Sequence, residues 1–323
     1  MTKAVRYHKQ GGPEVLQLDE VQVGEPGQGQ VRIRHTAIGV NFVDTYQRSG
    51  LYPMQLPQTA GNEGAGILEA VGPGVKGLKK GDRVCYTGLP GSYCEARIVP
   101  AERMVKLPKG ISEEQAASML LKGLTVHYLI FSTYKVKKGD TVLWHAAAGG
   151  VGLIACQWLK ALGVKTIATV GSDEKGKLAK AHGAAHVINY SSENFVQRVK
   201  EITGGKGVPV VYDGVGKATW EGSLDCLRPR GLIASLGNAS GAVPPVNLGI
   251  LSAKGSLYVT RPTLATHIAS RADLVARSNV LFAVVKSKKV KIETTARYKL
   301  ADAAQAHRDL EGRKTTGSVV LVP

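Results

Sequence analysis

Over roughly the first hundred residues, apolar positions come in short runs separated by Gly and Pro: KAVRY, QVRIRHTAIGV, GAGILEAVG, GDRVCYTG and SYCEARIVP. Runs of this length between turn residues predict β-strands, and their close spacing predicts an antiparallel, barrel-like unit. The periodicity turns helical at ISEEQAASMLLKGLTVHYLIF, where Ser112 stands as N-cap and Gln115, three positions on, completes a capping box. Strand-like and helical segments then alternate: TVLWHA, GLIACQWLKALG, KTIATV, EKGKLAKAHGA, HVINY, ENFVQRVKEITGG, VPVVYDGVG, TWEGSLDCLRPRG and GLIASLG. Such alternation predicts a doubly wound parallel sheet with helices on both faces. Beyond Tyr258 the pattern predicts a long helical stretch, an extended VKIETTARYKL, a helix through ADAAQAHRDLEG and a last strand, GSVVLVP. There is no internal repeat and no low-complexity tract.

A chain of 323 residues has room for about two domains, each with a sizeable core. Charged residues at 21% and hydrophobic ones at 43% are ordinary for a soluble globular protein. No apolar run reaches the roughly 18 to 20 residues that a membrane-spanning helix needs. The N-terminal MTKAVRYHKQGGPEV carries neither an apolar signal-peptide core nor an Arg-rich amphipathic stretch, so a cytoplasmic protein is expected. Cys85, Cys94, Cys156 and Cys226 stand far apart with no C-x-x-C pair, which argues for reduced thiols and against a disulfide framework or a closed zinc site. Cys156, inside a helical segment, reads as core.

Charge changes the picture in one respect. The 42 Lys and Arg against 25 Asp and Glu leave a net charge of +17, and a basic surface attracts polyanions whatever the fold. The basic residues are scattered, in short pairs such as Lys79-Lys80, Lys137-Lys138 and Lys288-Lys289, without interleaved aromatics. That scatter argues against a dedicated nucleic-acid role, which is kept as a third alternative.

The chemistry centres on AAGGVG, Ala147 to Gly152, between a strand and a helix. Unpaired N–H groups and the positive dipole end of a helix N-terminus accept a pyrophosphate if no side chains intervene. Ala147 takes the first place of the G-x-G-x-x-G fingerprint, and Gly149 and Gly152 hold the other two. At the end of the next strand a carboxylate would select NAD through the ribose 2′-OH. TIATV ends instead in Gly171-Ser172, with Lys175 one helical step on and Tyr190 closing the following strand. A hydroxyl and a cation there favour NADPH, against which Asp173 is the one contrary residue. His145, on the glycine-loop strand, reads as a packed residue, and the histidines form no ligand cluster.

Several segments taken together resemble the medium-chain dehydrogenase/reductase superfamily, and within it the NADPH:quinone oxidoreductases related to zeta-crystallin. They are HKQGGPEVL, AIGVNFVDTYQRSGLYP, LLKGLTVHYL, HAAAGGVGLIACQ, INY, SLGNASG and GSLYVTRP, in order along essentially the whole chain. The resemblance implies a GroES-like β-barrel catalytic domain over residues 1–123, completed by 262–323, and a Rossmann NADPH-binding domain over 124–261, with the cofactor in the cleft between them. It also implies a homodimer, with GSLYVTRP as the strand that pairs the two Rossmann sheets.

Against the zinc-dependent alcohol dehydrogenases of the same superfamily, the sequence departs at each ligand. Asn41 stands for the first-ligand Cys, Gly61-Asn62-Glu63 for G-H-E, and Lys122 for the third ligand; the structural-zinc cysteines are missing. Catalytic zinc needs three Cys, His or carboxylate ligands, so no metal is expected and alcohol oxidation is not the reaction. What remains is hydride transfer from NADPH to an acceptor that needs little activation, such as a quinone.

By the resemblance, Asn41, Tyr46 and Tyr52 line the nicotinamide and acceptor pocket, with Tyr46 or Tyr52 as a proton or hydrogen-bond donor. Gly149, Gly150, Val151 and Gly152 meet the pyrophosphate, and Gly171, Ser172, Lys175 and Tyr190 the 2′-phosphate end. Leu236, Gly237 and Asn238 lie on the nicotinamide side; Lys122, Thr125 and Tyr128 face the cofactor, and Arg313 helps hold it. The alternative enzyme class is an NADPH-dependent alkene reductase acting on enones or enals, which needs a donor at the carbonyl oxygen or a proton for the α-carbon.

Overall fold

In the computed structural model, which describes residues 1–323, the chain folds as two units. The first comprises residues 1–124, 268–286 and 292–323, and the second residues 125–267 and 287–291. The first begins β1 (Thr2–Tyr7), β2 (Gln17–Val21), β3 (Gln30–Val40), α1 (Phe42–Ser49), β4 (Gln58–Thr59), β5 (Glu63–Val71), β6 (Arg83–Thr87), β7 (Ala96–Pro100), β8 (Val105–Lys106) and α2 (Glu113–Tyr128). The capping box at the head of α2 is present: Gln115 N–H donates to Ser112 Oγ and Ser112 N–H to Gln115 Oε1, both at 3.1 Å.

The second unit contains β9 (Thr141–Trp144), α3 (Gly150–Ala161), β10 (Lys165–Val170), α4 (Asp173–Ala181), β11 (His186–Asn189), α5 (Phe195–Ile202), β12 (Val208–Asp213), α6 (Trp220–Asp225), β13 (Leu227–Ser235), α7 (Gly249–Ala253), β14 (Tyr258–Thr260) and α8 (Leu264–His267). The first unit then resumes with α9 (Arg271–Lys286), β15 (Thr294–Lys299), α10 (Ala303–Glu311) and β16 (Ser318–Val322).

In the first unit β2-β1-β4 make a small antiparallel sheet, and β15-β16-β3-β5-β6-β8 a larger one to which β7 adds through β3. β3 organises the larger sheet. One edge pairs with β5, while along the other Gln30–Arg34 pair with β7 and Ile38–Val40 with β16. A long strand shared by several partners curls the sheet, and apolar residues fill both sides of the curl: Val31, Ile33, Leu68, Val84, Tyr86 and Val99 in one cluster, Val5, Tyr7, Ile38, Ala306, Val319 and Leu321 in the other.

The second unit is a six-stranded sheet in the order β11-β10-β9-β12-β13-β14, every pair parallel. The order reverses between β9 and β12, the switch point beside which dinucleotides bind in open α/β sheets. Its inner strands are buried on both faces, as Val208–Asp213 show, so their sequences read as continuous apolar runs rather than alternations.

Three boundaries differ from the sequence expectation. NFVDTYQRSGLYP contains α1, begun by Asn41, whose N–H donates to Asp44 Oδ2 at 2.9 Å, and ended by Gly50 in the left-handed region (φ 86°). α3 starts at Gly150, so Gly150, Val151 and Gly152 are its first turn and not part of the preceding bend. In TWEGSLDCLRPRG the helix stops at Asp225 and the strand begins at Leu227, because Leu227 packs into the sheet core with Ile233 and Val208.

Candidate active site

The glycine-rich bend of the second unit joins β9 to α3. Gly149 caps the helix with extended backbone, and the first-turn amides of Gly150, Val151 and Gly152 have no carbonyl within the helix to donate to. The left-handed residue of the bend is Ala146 (φ 54°), one place before the fingerprint position held by Ala147. A Cβ on Gly152 would lie 2.5 Å from the Ala147 carbonyl oxygen and 2.6 Å from its Cα, so only glycine lets helix and bend close on each other. On Gly149 the nearest atom to a Cβ is Ala146 O at 3.4 Å, so glycine there leaves the mouth of the bend bare without being forced by packing.

At the end of β10 the 2′-phosphate candidates come together. Ser172 caps α4, its Oγ accepting from the Lys175 N–H at 3.3 Å. Gly171 leaves room for Tyr190, whose hydroxyl would stand 2.7 Å from a Cβ placed there. Asp173, the residue that spoke against NADPH, has its carboxylate engaged by Asn189 Nδ2 at 2.8 Å.

A buried polar network lies under this unit's strand ends and was not anticipated. Asp213 accepts from the N–H groups of Val215 and Gly216 and from the hydroxyls of Thr219 and Ser223 at 2.7 to 3.0 Å. Ser223 Oγ also meets His145 Nε2 at 3.0 Å, and His145 Nδ1 meets Thr169 Oγ1 at 2.8 Å. His145 is thus a packed residue with both ring nitrogens satisfied. Leu236 N–H donates to Asp213 O, and Gly237 passes so close to Gly214 that a Cβ would lie 2.5 Å from its carbonyl oxygen. Arg261 holds the same turn, donating to Ser235 Oγ at 3.2 Å and Gly237 O at 3.3 Å; the Asn238 amide, turned to suit its neighbours, accepts from Arg261 at 3.1 Å. Tyr128 stacks on His267 with ring centroids 4.4 Å apart and planes 6° off parallel, and Thr125 precedes it on the same helix.

In the first unit Asn41, Glu63 and Lys122 converge. Glu63, with no solvent exposure, accepts from Asn41 Nδ2 at 2.9 Å and from the Leu121 N–H at 2.6 Å, and its Oε2 stands 3.6 Å from Lys122 Nζ. Burial pushes the Glu63 carboxyl above the usual range against the pull of Lys122 and Asn41. Asp44, beneath Asn41, also accepts from Asn62 Nδ2 at 2.7 Å and the Tyr93 hydroxyl at 2.9 Å, and burial raises its pKa to about 6. Tyr46 and Tyr52 lie edge to face with centroids 5.3 Å apart beside Phe42, half-exposed at the outer side of α1. The half-exposed tyrosine rings thus differ from the Asn41 amide, which is buried and turned onto Glu63.

Arg313 belongs to the first unit, in an exposed left-handed turn (φ 57°) after α10. Asp44 and Tyr93 escape sequence reading because Asn62, Tyr93 and His307 lie far from their partners in the chain, whereas the partners of Asp213 are all within ten residues and carry no signal that separates them from an ordinary turn. Only the Asn41-to-Asp44 spacing carried a local signal, that of a helix cap.

The residues that the resemblance sets at the zinc-ligand positions are thus the Asn41 carboxamide and the Lys122 ammonium, both on the Glu63 carboxylate, and the Asn62 carboxamide, which turns to Asp44 and Gln47. This set does not fit the ion, since a protonated amine cannot ligate and no three His, Cys, Asp or Glu side chains gather anywhere in the chain to do so.

Comparison with known proteins bears on the fold and the family. Residues 27–109 match the alcohol dehydrogenase GroES-like domain, and residues 150–272 match the zinc-binding dehydrogenase model. The chain is 55% identical to a quinone oxidoreductase of Pseudomonas aeruginosa over 100% of both chains. It is 46% identical to a 2-haloacrylate reductase of Burkholderia, covering 100% of this chain and 99% of the other. Its fold superposes on the crystal structure of Escherichia coli quinone oxidoreductase complexed with NADPH with a TM-score of 0.98 at 53% identity, over 99% of this chain and 100% of that one. With full-length identity at this level and both halves of the fold matched, the chain belongs to the quinone oxidoreductase family of the medium-chain dehydrogenase/reductase superfamily.

Proposed function

We propose that this protein reduces quinones with NADPH by direct hydride transfer, without metal or flavin. The observation that carries the reading is the Asn41–Glu63–Lys122 set. An active site without a Lewis acid suits an acceptor whose reduction needs none, and quinones are such acceptors. The names of full-length relatives at 55% identity support the same substrate class.

NADPH supplies the hydride when bound. The chain's part is to hold and orient it: the first-turn amides of α3, from Gly150, Val151 and Gly152 with Gly149 ahead of them, take the pyrophosphate. Ser172, Lys175 and Tyr190, around the bare backbone of Gly171, take the 2′-phosphate. Leu236, Gly237, Asn238, Thr125 and Tyr128 serve the nicotinamide side, and Arg313 adds a cation. The complex of the Escherichia coli relative with NADPH supports this cofactor. Tyr46 and Tyr52 offer the acceptor two aromatic faces and a hydroxyl. A second reading, reduction of an α,β-unsaturated carbonyl, is favoured by the 46% identity to a 2-haloacrylate reductase.

The protein works as a homodimer in the cytoplasm in this reading. β14 is the last strand of its sheet, and its Tyr258 and Val259 are exposed at 60% and 42%, features that suit strand pairing between two copies. No helix is long and apolar enough to cross a membrane. The reading is tested by dialysing the protein against a chelator and assaying NADPH oxidation with 9,10-phenanthrenequinone. Undiminished turnover in a metal-free sample is expected, and activity that returns only with added zinc would refute it.

A further inference from the structure

One buried cation of the first unit has hydrogen-bonding capacity that the protein does not use. The Lys122 side chain is 7% exposed, and its Nζ lies 3.6 Å from Glu63 Oε2, beyond hydrogen-bond reach. No other atom accepts from it. Glu63 is meanwhile taken by firmer donors, Asn41 Nδ2 at 2.9 Å and the Leu121 N–H at 2.6 Å. The carboxylate therefore holds the ammonium in place by charge, while the N–H donors of Lys122 stay unspent where bulk water scarcely reaches. A buried donor without a partner is costly, so an arrangement that keeps one calls for an acceptor absent from the folded chain. Neutralising Glu63 is not enough to explain it, because a contact at hydrogen-bond distance would do that and spend a donor as well.

We propose that the Lys122 ammonium donates a hydrogen bond to the carbonyl oxygen of the bound acceptor and stabilises the negative charge that develops there. Glu63 and Asn41 are then positioning residues, Glu63 for the ammonium and Asn41 for Glu63. The inference rests on the quinone-reductase reading above. In that reaction the acceptor gains a hydride, one proton with two electrons, from NADPH, which leaves as NADP⁺. The electron pair displaced from the acceptor's π-system comes to rest on oxygen as a single negative charge. Lys122 stays protonated throughout, and the oxygen afterwards takes its proton from water. The role is the one that a metal fills in zinc-dependent relatives of the fold, performed by a fixed cation.

The test compares the wild type with Lys122→Met, Lys122→Arg and the double variant Glu63→Gln/Lys122→Met, which removes the Glu63 charge together with that of its partner and so guards against simple unfolding. Removing a donor aimed at a developing oxyanion lowers kcat by about 100- to 1000-fold. That loss is expected in both Met variants, with KM for NADPH unchanged and partial activity in Lys122→Arg. A second readout needs no turnover: 4-nitrophenol, bound to the enzyme–NADP⁺ complex, should show the phenolate absorbance at lower pH with the wild type than with the double variant. A folded double variant that keeps kcat, or one whose only defect is a raised KM for NADPH, would overturn the proposal. If the wild type oxidises NADPH with no quinone at all, the functional reading falls, and an equal phenolate titration in both proteins then overturns the role of Lys122 separately.

Discussion

The Tyr93 hydroxyl donates to Asp44 Oδ2 at 2.9 Å, and its oxygen lies 3.0 Å from His307 Nε2. Because Arg48 Nη1, 2.9 Å from His307 Nδ1, can only donate, that nitrogen carries no proton and His307 donates from Nε2 to Tyr93. Arg48 is itself held by both carboxylate oxygens of Glu311, at 2.7 and 3.2 Å. One continuous set of hydrogen bonds thus runs from α10 through Arg48, His307 and Tyr93 to Asp44, which fixes the Asn41 end of α1.

Tyr93→Phe removes the middle of this chain and leaves the His307 N–H and one lone pair of Asp44 buried without partners. A loss of about 1 to 3 kcal/mol is expected, read as a lower urea midpoint at unchanged m-value. A midpoint equal to the wild type would contradict the network.

Acid should weaken the fold before its carboxylates are neutralised. Burial, with Arg48 beside it, lowers His307 to about 3, and burial lowers His35 to about 4. Both folded values lie below the usual 6.5, so the unfolded chain binds these protons first. The stability that the neutral rings contribute is complete above about pH 6.5 and is lost as pH falls toward the folded values, by up to about 1.4 kcal/mol per pH unit for each ring. Asp44 acts in the opposite sense: raised to about 6, it binds its proton more readily when folded and gains stability between about pH 6 and 3.8. Glu63, raised by burial, acts in the same sense as Asp44, and His145, lowered by burial, in the same sense as His35 and His307. Three buried histidines against two carboxyls leave a net fall, so Tm should drop between pH 6.5 and 5. His307→Gln should flatten that slope, and a Tm that rises over the interval would contradict the assignment.

The two glycines of the β9–α3 bend should respond differently to alanine. Gly152→Ala drives a Cβ into the Ala147 backbone at 2.5 Å and is expected to lower both Tm and NADPH affinity. Gly149→Ala meets nothing closer than 3.4 Å, so Tm should hold while the dissociation constant for NADPH rises at least tenfold. Differential scanning fluorimetry with and without NADPH separates the two; equal behaviour would mean that packing alone explains both glycines.

Lys175→Ala should raise KM for NADPH and leave NADH nearly unaffected, with a loss on the order of 1 to 3 kcal/mol for a charge-assisted hydrogen bond to the 2′-phosphate. An equal effect on both cofactors would remove Lys175 from that role.

The doubly wound half was legible because each of its elements announces itself locally: strands such as Val208–Asp213 are apolar throughout, and α4 and α5 begin at Ser172 and Asn194, side chains that cap them. The bend was legible for the same reason, although its left-handed residue proved to be Ala146. α1 was obscured by the aromatic residues of NFVDTYQRSGLYP, while its real marks were polar: Asn41, Asp44 and the terminating Gly50. The network under it had no local trace at all. Tyr93 and His307 are 214 positions apart, and each alone reads as an ordinary core aromatic. Lys122 could be read as a lost zinc ligand, but that its ammonium is buried with donors to spare is a property of the folded chain only.

The most direct test of the central claim is kcat/KM of the chelator-treated enzyme, with NADPH and with NADH, for 1,4-benzoquinone, 9,10-phenanthrenequinone, 1-octen-3-one and an alcohol paired with NADP⁺. Quinones turned over with NADPH preferred, and no alcohol oxidation, is the predicted result. Alcohol oxidation that depends on added zinc, or a preference for NADH, would contradict it.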